Sequence, residues 1–298
     1  MFKRKFLTFL SLCALPLLTL DAEEHLNKEK YESLTGFKGS YNEKEQVFKA
    51  SFPRNDIKIS VDNIQLDPFM GLTSWSAFIP VTENKFMVMG DLVLFQDEVN
   101  PVMSDLLNDH LEVTALHNHF FYDTPKVYFM HIGGEGVIGD LAAAIKKALD
   151  TVKDIRSKNS SPSNSFGGPS ISNNNSIELS TLEKIFGIKG QSKDGMVKFV
   201  FGRSVKMGDV TLGSDMGVNT WAAFAGTNGN AVVDGDFAIL EKELQPVLKA
   251  LRKGNIYIVA IHHHMTMESP KMIFLHYWGK GNAEDLAKTI KESLSLTK

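Results

Sequence analysis

Residues 115–131 read ALHNHFFYDTPKVYFMH, and residues 260–276 read AIHHHMTMESPKMIFLH. Each stretch is an apolar arm, a polar turn ending in Pro-Lys, and a second apolar arm, the pattern of an antiparallel hairpin. His117 and His119 are two residues apart, so on an extended strand both project to one face while Asn118 projects to the other. A turn centred on Thr124 would set His131 opposite His117 on that same face. His262, His264 and His276 repeat the arrangement.

Working outward, the two hairpins belong to a long duplication. From Gly90 onward the halves match without a gap at a constant offset of 145: Gly90-Asp91 with Gly235-Asp236, Glu98 with Glu243, Pro101-Val102 with Pro246-Val247. Upstream, MGLTSWSAF at 70–78 matches MGVNTWAAF at 216–224, FPR at 52–54 matches FGR at 201–203, and GFKG at 36–39 matches GIKG at 187–190. The period is far longer than that of a solenoid repeat, so each copy is large enough to be a domain. The expected units are 28–153 and 179–298. Between them, 154–178 reads as a linker or exposed loop, since 17 of the 21 residues from Ser157 to Ile177 are Ser, Asn, Gly or Pro.

Within one unit, Val47–Phe52 and Ile57–Ile64 read as a strand pair, followed by strands over Trp75–Ile79 and Lys85–Phe95. Residues 97–107 read as a helix, with Asp97 near its start and Pro101 in an early turn. Strands over Leu111–His119 and Val127–His131 follow, then a helix over Asp140–Leu149; the last helix of unit two spans Glu284–Leu294. The expected class is α+β: two homologous repeats, each an antiparallel sheet with helices covering one face, packed as a pseudo-dimer.

The chain has 298 residues, 43% hydrophobic and 22% charged, enough for a sizeable core. Its net charge of −3 leaves no basic footprint for nucleic acid. One cysteine, Cys13, excludes internal disulfides and a four-cysteine metal site. Lys3, Arg4 and Lys5 precede an apolar run from Phe6 to Leu20, the pattern of a secretory signal with cleavage after Ala22. The expected location is the periplasm or the exterior. Cys13 lacks a small residue before it, which argues against lipid attachment. No membrane span is expected after signal removal.

Nine histidines are present, and seven lie in the two quoted stretches. Imidazole is a good ligand for borderline transition metals, so the triads His117, His119, His131 and His262, His264, His276 are candidate metal sites, zinc first and copper second. Glu98 and Glu243 are candidate fourth ligands or catalytic bases; their alternative role is a favourable charge in a helix's first turn. Asp91 and Asp236 are candidates for orienting a histidine from behind. Arg54 and Arg203 are candidate anion-binding groups, with a buried ion pair as the plainer alternative. Trp75 and Trp221 read as core. His263 reads as a surface or supporting residue, and neither His110 nor His25 carries a role. No glycine-rich nucleotide motif is present.

The E-x-x-P-V, A-[LI]-H-x-H, P-K and F-x-H pieces, each present twice behind an export signal, resemble the LppY/LpqO family of bacterial exported proteins, built around a duplicated domain of unknown function. The resemblance implies export and a duplicated architecture, and brings no activity with it. Three readings follow: an exported metal-binding protein; a metal-dependent hydrolase whose three histidines, with or without a glutamate, hold an ion that activates water; and a metal-free envelope protein that binds a small-molecule ligand or partner.

Overall fold

The computed structural model describes residues 26–297. The signal-like segment, Cys13 and His25 lie outside them. Unit one contains α1 (Lys28–Thr35), β1 (Gly39–Asn42), β2 (Val47–Pro53), two short strands β3 (Ser60–Val61) and β4 (Ile64–Gln65), β5 (Thr73–Thr82), β6 (Lys85–Phe95), α2 (Gln96–Asn108), β7 (Glu112–His117), the short β8 (Asp123–Thr124), β9 (Val127–Gly136) and α3 (Ile138–Lys158). Unit two repeats the plan with α4 (Leu179–Phe186), β10 (Gln191–Lys193), β11 (Met196–Gly202), the short β12 (Val205–Met207) and β13 (Val210–Leu212), β14 (Asn219–Thr227), β15 (Asn230–Leu240), α5 (Glu241–Lys253), β16 (Tyr257–His262), β17 (Met272–Gly281) and α6 (Ala283–Ser295).

Twelve strands form one sheet in the order β1-β2-β5-β6-β9-β7-β16-β17-β15-β14-β11-β10. The second half of that order mirrors the first. Alternation along each strand decides which face is covered. On β6, Phe86, Val88, Leu92 and Leu94 enter the main core with Met130 and Ile132 of β9, beneath apolar residues of α2 and α3. Val233, Phe237 and Ile239 of β15 do the same in unit two, beneath α5 and α6. One continuous core thus lies between the sheet and the helices, and among the described residues the other face of the sheet has no helical layer. Among those residues, too, no helix is long and apolar enough to cross a membrane.

The halves join where β7 meets β16, through the antiparallel pair Leu116–Ile261. Both strands carry an irregularity in their pairing with the neighbouring hairpin arm, between Val113 and Ala115 and between Ile258 and Ala260. Side chains from the opposite unit serve the backbone there. Asn100 of α2 accepts from Ile258 N (2.8 Å) and donates to Ile258 O (3.1 Å). Its counterpart Gln245 of α5 accepts from Val113 N (3.1 Å) and donates to Val113 O (2.9 Å). Neither amide figured among the sequence candidates, because its partner is 132 or 158 positions away. Removing one strands a backbone donor and acceptor, at about 1–3 kcal/mol. Asn100→Ala and Gln245→Ala are therefore each expected to lower the denaturant midpoint, and the double variant to lower it most.

The region 57–64 departs from the expected pairing. β2 pairs with β1 and β5, and 57–64 instead turns through Asp62 and Asn63, both at positive φ (48° and 64°). The Asp-Asn pair is a turn signal that outweighs the local alternation. β3 pairs with β8 at the tip of the histidine hairpin. Ile59 is buried with Leu72, Val93, Phe95, Val127 and Phe129 in a small second core on the helix-free face. In unit two, Lys206 and Ser269 form the matching bridge. These excursions brace the hairpins from the open side.

α3 runs on to Lys158, past the expected start of the linker. The polar segment that follows is mostly exposed but tied down. Phe166 packs on Tyr257 and Trp278, Asn175 accepts from Gly226 N at 2.8 Å, and Ser163 N donates to Asp97 at 3.0 Å.

Candidate metal centre on the helix-free face

All six triad histidines belong to the two central hairpins. Their register differs from the expected one. His117 stands opposite Phe129, and His131 opposite Ala115; His262 stands opposite Phe274, and His276 opposite Ala260. The pairing is shifted by two residues, because the hairpin register is centred on residue 123 and not on 124. A two-residue shift preserves the face. His117 and His131 are therefore diagonal neighbours, their rings 5.0 Å apart, and His262 and His276 are 4.8 Å apart.

Phenylalanine forms the floor for the outermost imidazole of each triad. His119 stacks on Phe129 at 3.3 Å and His264 on Phe274 at 3.5 Å, nearly parallel. The loop residues beside them have paired structural tasks. Asn118 donates its amide to Val127 O at 2.7 Å, and His263 approaches Met272 O through Nδ1 at 3.1 Å. One donor has replaced the other, so His263 supports the turn and points away from the triad. Asp123 and Glu268, both buried, accept from Val127 N (2.7 Å) and Met272 N (3.1 Å). These two acids are absent from the sequence candidates; their signal was an Asp–Glu exchange preserved at the constant offset.

Among the described residues, one group of side chains brings three possible ligand atoms mutually close: His262, His264 and His276, all within 4.8 Å. His262 Nε2 is buried and has no hydrogen-bond partner. Its Nδ1 lies 3.5 Å from His263 O; since a carbonyl only accepts, this contact favours the tautomer with a free lone pair on Nε2. Burial, together with neighbouring imidazoles, holds both His262 and His264 below their ordinary pKa, which keeps them in the neutral form a metal requires. In unit one, His117 and His131 meet Nε2 to Nε2 at 3.0 Å. His119 is likewise held low by burial and by His117.

The two aspartates reach the site. Asp91 pairs in register with His131, and Asp236 with His276. Asp236 Oδ2 lies 3.5 Å from His264 Nε2, and one oxygen of each aspartate is buried without a partner. Burial pushes the Asp236 carboxyl up to about 6, against the pull of His276. The folded chain thus keeps this proton to higher pH than the unfolded chain does. The group costs nothing below about pH 3.8, and its cost grows as pH rises toward 6 and is complete above. Each tenfold difference in proton affinity between the folded and unfolded chains is worth about 1.4 kcal/mol. Partial hydration of the site reduces the sum, so Asp236→Asn is expected to stabilise the metal-free protein by about 1–2 kcal/mol at about pH 8. The gain should vanish near pH 3.5. Urea unfolding in chelator at the two pH values checks this.

The glutamates do not reach the site. Glu98 is fully buried at the start of α2, where Oε2 accepts from Phe95 N at 2.9 Å. Arg54 grips both oxygens, at 2.7 and 3.0 Å, and Arg156 Nε lies 2.9 Å from Oε1. Arg54 also donates to Val93 O and to Asp56. Burial acts to lower the guanidinium, but Asp56 and Glu98 overcome it and hold it above its ordinary value. Glu243 repeats the device, accepting from Leu240 N (2.8 Å) and paired with Arg203 at 2.5 and 3.2 Å. Glu98 and Glu243 thus take the first-turn helix position that was their alternative role, and Arg54 and Arg203 the ion pair that was theirs, in place of ligand, base or anion-binding roles. Each glutamate sits in its helix's first turn.

Trp75 and Trp221 also move from their expected place in the core. They are half-buried on the helix-free face, paired in register with Asp91 and Asp236. Lys49 and Lys198 lie over their rings at 4.3 and 4.4 Å. His110 is exposed at a turn with φ 64°, as its counterpart Asn255 is at 57°. Its position answers to backbone shape and not to chemistry.

A search of curated proteins finds no match. Among solved structures, a trimeric bacterial microcompartment shell protein, PduB, aligns over 87% of this chain and 89% of its own at 11% identity, with a TM-score of 0.20; a likeness that low carries no argument. A family profile described as Domain of Unknown Function (DUF1259) matches residues 29–151 and again 180–296. The two matches span both hairpins and both triads, and the chain therefore belongs to that family, carrying its domain twice.

Proposed function

We propose that the protein is an exported metal-binding protein whose second-unit triad, His262, His264 and His276, holds one transition-metal ion, zinc first and copper second. One observation carries this reading: three imidazoles converge within 4.8 Å, and the central one has a buried Nε2 with no partner. Tetrahedral zinc with Zn–N near 2.0–2.1 Å sets its nitrogens about 3.3 Å apart, within reach of modest ring rotations. The first triad, His117, His119 and His131, is a second site of the same kind. Export follows from the signal-like start of the chain and accords with the likeness to the LppY/LpqO proteins. Metal analysis of tag-free protein purified from the periplasmic fraction tests the reading. Bound zinc or copper supports it; no metal after loading with either ion refutes it.

A hydrolytic role is a second reading, favoured by the site's place on the helix-free face, where solvent and substrate have access. In it the ion activates water and Asp236 or Asp91, not a glutamate, is the nearby carboxylate. A metal-free reading is favoured in unit one by the direct His117–His131 contact at 3.0 Å.

A further inference from the structure

We propose that the two histidine triads form one composite centre astride the pseudo-two-fold axis, holding two transition-metal ions side by side. The proposal rests on the metal-binding reading above and adds what that reading lacks, a relation between the two triads.

The junction pair carries the argument. β7 and β16 meet at Leu116 and Ile261, and these residues are equivalent at the constant offset of 145. An antiparallel pair of equivalent residues places the pseudo-two-fold axis between them. Leu116 and Ile261 both face the helix-side core. The next residue on each strand, His117 and His262, therefore faces the open side. They are symmetric about the axis and stand as diagonal neighbours, with backbones roughly 7–8 Å apart. His131 stands opposite Ala115 and His276 opposite Ala260. Across the four central strands β9, β7, β16 and β17, the order on the open face is thus a zigzag: His131, His117, His262, His276. Ala115 and Ala260 take the alternate places, where any larger side chain would stand between the imidazoles.

Two ions fit this zigzag better than one. The inner histidines lean outward: His117 Nε2 meets His131 Nε2 at 3.0 Å, and the His262 ring lies 4.8 Å from that of His276. Each inner histidine thus faces the partner strand of its own hairpin and meets His131 or His276 there, so each ion takes the histidines of its own triad. His119 and His264, stacked on their phenylalanines, complete the two sets. Asp91 and Asp236 close the row at its outer ends, beside His131 and His276.

Copper(II) loading of tag-free protein tests the proposal by ion counting and electron paramagnetic resonance on the same sample. The expected result is two ions per chain with a dipolar-broadened spectrum and a half-field transition. In His117→Gln the count should fall to one and the spectrum to that of isolated copper, while exposed His110→Gln should change neither. A titration needing no variant gives the same answer: a small fraction of one equivalent of copper should give the isolated-copper spectrum, and the broadening should grow as loading approaches two ions per chain. Two ions with an isolated-copper spectrum would overturn the composite centre, as would a single ion per chain, which leaves the single-triad reading standing. Absence of bound copper and zinc alike would overturn the metal reading itself, and the composite centre with it.

Discussion

Glu98→Ala is expected to destabilise the protein by about 3–5 kcal/mol while leaving the metal content of the folded fraction unchanged. The carboxylate is fully buried and holds three partners at once: Arg54 through both oxygens, Arg156 Nε, and the amide that opens α2. Truncation leaves the Arg54 guanidinium buried, with only Asp56 and Val93 O for company, and leaves the Phe95 amide without its acceptor. The loss is large against a typical total of about 5–15 kcal/mol; at roughly 2–4 °C per kcal/mol for a domain-sized unit it lowers the melting temperature by about 10 °C. Glu98→Gln keeps the amide's acceptor and loses the charge, so it should fall between the alanine variant and the wild type. Thermal melts followed by circular dichroism, with metal counted on the soluble fraction, give both readouts. A Glu98→Ala protein that melts normally but has lost its metal would return the glutamate to the site and refute the ion-pair account.

His262→Ala is expected to weaken zinc binding at the second-unit triad by more than about 100-fold, with little effect on the metal-free fold. Loss of a group that merely orients a ligand typically costs about 10–100-fold, and His262 is itself the central donor of the three. Its Nε2 is buried and unpaired, so truncation removes a desolvated polar atom along with the ring's packing. Two opposing stability effects then nearly cancel. His263→Ala is the informative neighbour. It removes the 3.1 Å contact to Met272 O that steadies the turn, and should lower stability modestly while sparing affinity. Competition against a chromophoric chelator separates the two variants. Equal affinity in His262→Ala and wild type would refute the triad as a ligand set.

The two variants also mark how far the sequence could be read. The hairpins were legible because strand periodicity is local: a spacing of two puts His117 with His119, and His262 with His264, on one face whatever surrounds them. The duplication was legible from the constant offset, and with it two like halves, each with its own antiparallel strands. The glutamates were ambiguous for a physical reason. A glutamate at the third position of a helix after a strand is a good capping residue and an equally good ligand, and nothing local says which arginine will reach it. Arg54 lies 44 positions from Glu98 and arrives only because β2 ends beside the start of α2. Trp75 reads as core by composition, yet the pleat turns it to the face that no helix covers.

The chain by itself thus determined two copies of an α+β unit and, in each, three imidazoles on one face of a central hairpin. Tertiary structure decided the rest, because each remaining feature depends on contacts between residues far apart in sequence. The register fixed by each hairpin turn sets His131 and His276 on the diagonal from His117 and His262. Neighbouring strands β6 and β15 bring aspartates to the imidazoles, while the helix starts hold the glutamates in ion pairs. The pairing of Leu116 with Ile261 brings the halves together, and so places two equivalent histidine sets on adjoining strands of a single sheet.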